Sequence, residues 1–427
     1  MDQSAAVDEI VVDLSHANAV ERALGNLSAA DRTKLHLSPR PPERRARDER
    51  LGLALLEIEY VEGFEPTSPA PVRAILKHIR DEFRAKYRWS PTMGRNRVLS
   101  HVGAGNHADD AAGGTSYIQG GGLLPTSYIQ GGAKAASYIQ GGGGGFPQSV
   151  NSMPKSVARP TAGRGVQVAV LDTPIFPNEA IAGGYLASKD SRLMPNKRGH
   201  FYLAGHSTFV TGLIAAKAPG AAIQVHGVLH PSNAGAKVWD VAVAMTSLIG
   251  TGTDVLNLSM GCFTSDDEPP LVLMRAVDAL TPDVVIVAAA GNYRGLKNRN
   301  GKPISARPFW PGALDNVVAV GGLAQNGRLA TFSPDYPWVD LYAHAKDLTS
   351  TYIQGTVTFP DPPATGASDW PPKNAQFDVA ATWSGTSFAA GTVSGAIAAR
   401  TVPGRRPAGR ALQEILLDAD SDITRHP

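Results

Sequence analysis

The sequence predicts a three-layer α/β fold, a mostly parallel central sheet covered by helices on both faces, with a small α+β region ahead of it. Three observations carry this expectation. From Gly163 onward, short continuous apolar runs alternate with helical patterns. Strands that are apolar along their whole length belong to sheets buried on both faces, which parallel connectivity requires. The first hundred residues, in contrast, combine two apolar strand patterns with one amphipathic helix pattern and carry far more charge.

In the N-terminal part, Ile10, Val11 and Val12, and then Leu51 to Val61, read as strands. Val72, Ile75, Leu76, Ile79, Phe83 and Tyr87 recur at helical offsets and place one apolar face on a helix from Pro71 to Tyr87. The Arg- and Pro-rich stretch Pro39–Arg50 between the strand patterns reads as a loop. In the larger part, the expected buried strands are Val166–Leu171, Ile223–Val228, Asp254–Met260, Val284–Ala290 and Val317–Gly321. Helices are expected near His206–Lys217, Lys237–Ile249, Pro270–Leu280 and Ser387–Arg400.

Between these parts, 14 of the 43 residues from Gly103 to Gly145 are glycine, against 45 in 427 overall. Ordering such a stretch costs too much backbone entropy for a core element, so a flexible linker is expected. It holds three copies of one pentapeptide, Ser116–Gly120, Ser127–Gly131 and Ser137–Gly141. A near copy, Thr351-Tyr352-Ile353-Gln354-Gly355, lies downstream. The spacing is too short for a helical solenoid. The expected division is therefore 1–100 as a propeptide-like or accessory region, 101–160 as linker, and 161–427 as the main domain.

Composition excludes several function classes. With 40 basic and 38 acidic residues the net charge is +2, too small for a field that recruits nucleic acid or an anionic membrane. One cysteine, Cys262, permits no intrachain disulfide or thiolate metal cage and reads as a small buried apolar residue. No apolar run approaches the roughly 20 residues that span a bilayer. The N-terminal MDQSAAVDEIVVDL has no basic segment followed by an apolar one, so a cytoplasmic location is expected, or secretion where a signal has been removed.

In parallel sheets, functional groups gather at the carboxyl ends of strands. The run Val166–Leu171 leads into Asp172, and Val284–Ala290 leads into Gly291-Asn292. Gly205-His206 opens one helix pattern, and Gly385-Thr386-Ser387 opens another. Each residue taken alone has a structural reading as a cap or turn former. A serine at a helix N-terminus, however, also meets free backbone N–H groups and the positive dipole end, where an oxyanion is stabilised.

Together, VAVLDT, GHSTFVTG, AAAGN and SGTSFAA, in that residue order, resemble the signature of subtilisin-like serine proteases. The resemblance spans about Gly163–Arg400. It implies a subtilisin-like fold and serine endopeptidase activity, with Ser387 as nucleophile, His206 as general base and Asp172 orienting the histidine. It implies Asn292 and the Ser387 N–H as oxyanion donors. Ser259, Met260 and Gly261, in a stretch resembling the family's substrate-pairing strand, and Ala290 and Gly291 would contact an extended peptide.

Three positions depart from the family pattern: Pro174 stands for the usual Gly, Ser207 for a Gly, and Gly391 for a Pro. None removes a reacting group. No cofactor is expected and no metal-ligand spacing occurs; structural calcium is known in the family, but the acidic run Asp266-Asp267-Glu268 reads equally as a solvated one. The partner expected is a protein or peptide in extended conformation, with no nucleic acid and no membrane. The repeats between residues 116 and 141 carry two readings, low-complexity duplication or an intramolecular contact with the active site. The functional expectation is an endopeptidase, specialised or self-regulated. Its rival is a catalytically weak subtilase-fold module that binds extended peptides.

Overall fold

A computed structural model describes residues 8–27, 37–38, 45–60, 70–101, 104–107, 116–119, 145–153, 156, 158–196, 198–264, 267–294, 307–361, 371–417 and 423–427. The main sheet has eight strands in the spatial order Tyr185–Ala187, Ala222–Gly227, Gln167–Asp172, Val255–Leu258, Val285–Ala289, Val318–Leu323, Leu341–His344 and Ile423–Thr424. All pairs are parallel except the last. From Gln167–Asp172 the chain crosses through the helix His206–Lys217 to one neighbour, then returns through Val238–Thr246 to the other. Right-handed crossovers in opposite directions put those helices on opposite faces. The second face also carries Leu271–Leu280, and the first carries Thr386–Arg400, packed along His206–Lys217. The strands Gln167–Asp172 and Val255–Leu258 flank the switch point, where a crevice opens beyond their carboxyl ends.

The expected strands and helices of this domain occur, with boundaries shifted by a few residues. The edge strand Tyr185–Ala187 carried no signal, because it is only three residues long and leaves Leu186 exposed. Cys262 is buried.

Residues 8–101 include an antiparallel sheet in which Asp8–Asp13 lies between Leu53–Tyr60 and Met93–Arg95. Side-chain alternation sends Ile10, Val12, Leu56 and Ile58 into a core with Val72, Ile75, Ile79 and Phe83 of the helix Ala70–Tyr87. The opposite face, Val11, Leu53 and Leu55, joins the core of the larger domain. Two differences from the sequence reading occur here. Leu14–Gly25 is a helix, capped by Asp13, whose carboxylate accepts from the Ser15 N–H at 3.0 Å. Its inward positions are the short Ala17, Val20 and Ala23, which give little apolar periodicity. Within the expected loop, Arg45–Asp48 is an edge strand paired with Leu53–Leu56; its charged side chains suit an edge rather than a core.

This sheet lies on the two helices of the second face. Trp239 N–H donates to Asn96 Oδ1 at 3.0 Å, Lys237 Nζ meets Glu9 Oε1 at 2.6 Å, and Arg275 meets Asp13 at 2.8 Å. Downstream, Val98–His101 runs between two edges of the larger domain, antiparallel to Gly235–Lys237 and to Met260–Gly261. Ala104–His107 then pairs with Ser116–Gln119 of the first repeat. The second and third repeats lie outside the described residues. The downstream near copy is core: Tyr352 and Ile353 are buried, and the Tyr352 hydroxyl donates to Tyr202 O at 2.5 Å.

Candidate active site

Two helices bring the histidine and the serine together. Gly391 and Gly395, one turn apart, form a bare stripe on Thr386–Arg400. A Cβ on Gly391 would sit 3.3 Å from Val210 Cγ1, and one on Gly395 3.1 Å from Ile214 Cα. Val210 and Ile214 are likewise one turn apart, so the helices run parallel in matched register. One turn back along each, His206 falls opposite Ser387. The His206 ring lies 5.4 Å from that of Phe388, the next residue after the serine. Gly391, a departure from the family pattern, is thus a close-packing position.

Asp172 closes the arrangement from the strand end. His206 Nδ1 lies 2.8 Å from both Asp172 oxygens, and all three residues, Asp172, His206 and Ser387, are fully buried. An ionised carboxylate only accepts, so Nδ1 carries the proton and Nε2 is the basic nitrogen of the neutral ring. Thr173 N–H also donates to Asp172, at 2.7 Å, and the Ser207 N–H donates to Thr173 Oγ1 at 3.2 Å. The carboxylate therefore keeps a backbone donor beside Pro174, and Ser207 anchors the histidine's helix through its main chain.

The serine is set by a polar chain through the core. Ser394 Oγ donates to Asn257 Oδ1 at 3.0 Å, Asn257 Nδ2 donates to Ser259 Oγ at 3.0 Å, and Ser259 Oγ donates to Ser387 O at 3.0 Å. Ser387 Oγ in turn donates to Ser259 O at 3.4 Å, near the outer limit of a hydrogen bond. Sequence reasoning missed Asn257 and Ser394 here. The one signal was a polar amide inside the apolar strand Val255–Leu258.

Asn292 lies beyond Val285–Ala289 and is buried. Its Oδ1 accepts from the Thr386 N–H at 2.9 Å, which fixes which end of the amide is oxygen. Its Nδ2 lies beside the Gly385 turn, where a Cβ would stand 3.2 Å away. Thr386, also missed in the sequence, accepts from Gly291 N–H at 3.1 Å through its hydroxyl and so ties the Ala290–Gly291 segment to the serine's helix. The Ser387 N–H is in the helix's first turn, where no intrahelical acceptor exists. Asn292, Thr386 and Ser387 thus meet Asp172 and His206 at one crevice beyond the carboxyl ends of the strands.

The Subtilase family profile matches residues 163–408, more than half of the chain. The chain belongs to the subtilase family. Among curated relatives of this subtilase, a thermophilic serine proteinase from Bacillus sp. (strain AK1) is 32% identical over 211 residues, covering 45% of this chain and 48% of the relative. Minor extracellular protease Epr from Bacillus subtilis (strain 168) is 32% identical over 203 residues, covering 45% of this chain and 28% of that protein. Subtilisin Savinase from Lederbergia lenta is 31% identical over 214 residues, covering 48% of this chain and 72% of Savinase. The chain therefore spans about half or less of the first two relatives.

The described residues contain no cluster of three or more His, Cys, Asp or Glu side chains that could hold a metal. Asp267 pairs with Arg307 at 2.8 Å, and Asp266 lies outside the described residues. No helix among the described residues is long and apolar enough to cross a membrane.

Proposed function

We propose that this subtilase is a serine endopeptidase acting on extended peptides, and that its own N-terminal region is the first peptide to occupy the cleft. In the reaction, Ser387 Oγ attacks the scissile carbonyl while His206 Nε2 takes its proton. Asp172 holds the ring and stabilises the imidazolium. Asn292 Nδ2 and the Ser387 N–H receive the oxyanion. The proton then passes to the leaving amine, and water repeats the sequence on the acyl-enzyme. The weak 3.4 Å bond from Ser387 Oγ to Ser259 O gives little to surrender when the hydroxyl turns to His206.

The single observation that carries the reading is the placement of Val98–His101. It is a strand added between Gly235–Lys237 and Met260–Gly261, with Ser100 opposite both Gly235 and Gly261 and His101 opposite Met260. Backbone pairing on two sides is how an extended peptide is held without regard to its side chains. Ser259, one residue before Met260, contacts Ser387 directly. Substrate thus lies along Ser259, Met260 and Gly261, with Ala290 and Gly291 walling the far side. Residues 8–101 act as an intramolecular occupant that is cut from the domain and then released. The repeats lie beyond that cut. Such self-regulation fits a processing enzyme with few substrates.

The test is N-terminal sequencing of the full chain after purification. Wild-type protein should yield a new N-terminus at Gly103 or Ala104, and Ser387→Ala should remain intact. A new N-terminus at that place in both proteins would remove the self-cleavage reading.

A further inference from the structure

We propose that Phe309 plugs the primary specificity pocket, so that the enzyme cleaves after small residues and rejects large ones; this rests on the proteolytic reading of the same site. The strands Val255–Leu258 and Val285–Ala289 stay paired through Leu258 and Ala288. Beyond that point they part. Gly261 turns to Ser100, while the Ala290 N–H bonds Val320 O on the opposite neighbour. The slot between the two diverging segments is where the side chain preceding the scissile bond would enter.

One aromatic ring touches both walls of that slot. A Cβ built on Gly261 would lie 2.3 Å from Phe309 Cε1, and one on Gly291 would lie 3.5 Å from Phe309 Cδ1 and 2.5 Å from Tyr293 Cε1. Phe309 is only 6% exposed and Tyr293 only 4%, so neither ring is a side chain lying loosely over an open pocket. Ring centroids of Phe263 lie 4.8 Å from Tyr293 and 5.0 Å from Phe309. The backbone beside Phe309 is pinned by reciprocal bonds between Cys262 and Trp310, at 2.8 and 2.9 Å. Displacing Phe309 would break up this cluster, so a second large side chain is excluded by close packing rather than merely disfavoured.

The chain's own sequence points the same way: the four residues that follow His101 are Val102, Gly103, Ala104 and Gly105, none larger than valine.

Peptides identical except for Gly, Ala, Val, Leu, Phe or Lys before the scissile bond, incubated with the full chain after any self-cleavage, test the inference. Wild type should cleave the Ala peptide at least about 10²-fold faster, in kcat/KM, than the Phe or Leu peptide. In Phe309→Gly the Phe-to-Ala ratio should rise at least about tenfold. The wild-type profile decides alone if that variant fails to fold. A wild type that prefers Phe or Leu overturns the inference, as does a folded variant with an unchanged ratio. A fluorophosphonate, which needs no pocket, separates the two levels. Labelled Ser387 with a large-residue preference sinks the pocket inference alone. Absence of both labelling and cleavage sinks the proteolytic reading and the inference with it.

Discussion

Asn292 accepts a bond from the Thr386 N–H and, in the proposed mechanism, donates another to the oxyanion, so removing its side chain should have two separable effects. Asn292→Ala deletes the acceptor for the Thr386 N–H, held at 2.9 Å in a buried site. A buried donor left without a partner costs about 1–3 kcal/mol of stability. The same substitution deletes the Nδ2 donor to the oxyanion, a contribution of about 2.7–4 kcal/mol, or roughly 10²–10³-fold in kcat. That range is itself a subtilisin measurement and so a family value. Thr386→Val is the control. It deletes the acceptor for the Gly291 N–H at 3.1 Å, a buried bond of the same kind, but no oxyanion donor. Both variants should lose comparable thermal stability, while kcat on an alanyl nitroanilide peptide falls about 10²–10³-fold only in Asn292→Ala and within about tenfold in Thr386→Val. Asn292→Ala retaining more than about one-fifth of wild-type kcat would refute the oxyanion assignment.

Three other outcomes follow from the packing and titration of the fold. On the His206 helix, Gly212→Ala should destabilise by about 1–3 kcal/mol in urea unfolding, since its Cβ would lie 2.3 Å from Ser350 Oγ and Thr351 Oγ1 of the strand Leu348–Thr351. Tyr352→Phe should cost about 1–2 kcal/mol by the same measurement, because Tyr202 O loses its buried partner. Burial holds the His226 imidazole below its ordinary 6.5, so below that pH the unfolded chain binds a proton that the folded one resists. Stability present above pH 6.5 is therefore lost as pH falls, and His226→Leu should lower the melting temperature less than wild type between pH 7.5 and 5.5.

The sequence revealed the candidate site residues far better than it revealed the segments packed around them. Asp172, His206, Asn292 and Ser387, which the structure brings to one crevice, were legible because they stand at strand and helix ends beside apolar runs, in an order that resembles the subtilisin-like signature. The parallel sheet was legible because both its faces are covered. Val98–His101 was not, since its pairing uses backbone groups that any sequence possesses. Phe309 was not, because nothing in the chain between Asn292 and Pro311 tells which aromatic turns back between two strands. The Gly391–Gly395 stripe was visible only as small residues. Its meaning needed Val210 and Ile214 opposite it. The near copy Thr351–Gly355 shows the limit of repeat reading: the pentapeptide found three times in a glycine-rich stretch is, in its downstream form, a packed core segment.

The central claim is that Ser387, activated by His206 and Asp172, is a working nucleophile. Peptide mapping after treatment of the full chain with a fluorophosphonate tests it most directly. A single adduct on Ser387, lost in His206→Ala, is the result predicted. An unlabelled Ser387 in folded wild-type protein, or equal labelling with and without His206, would contradict it.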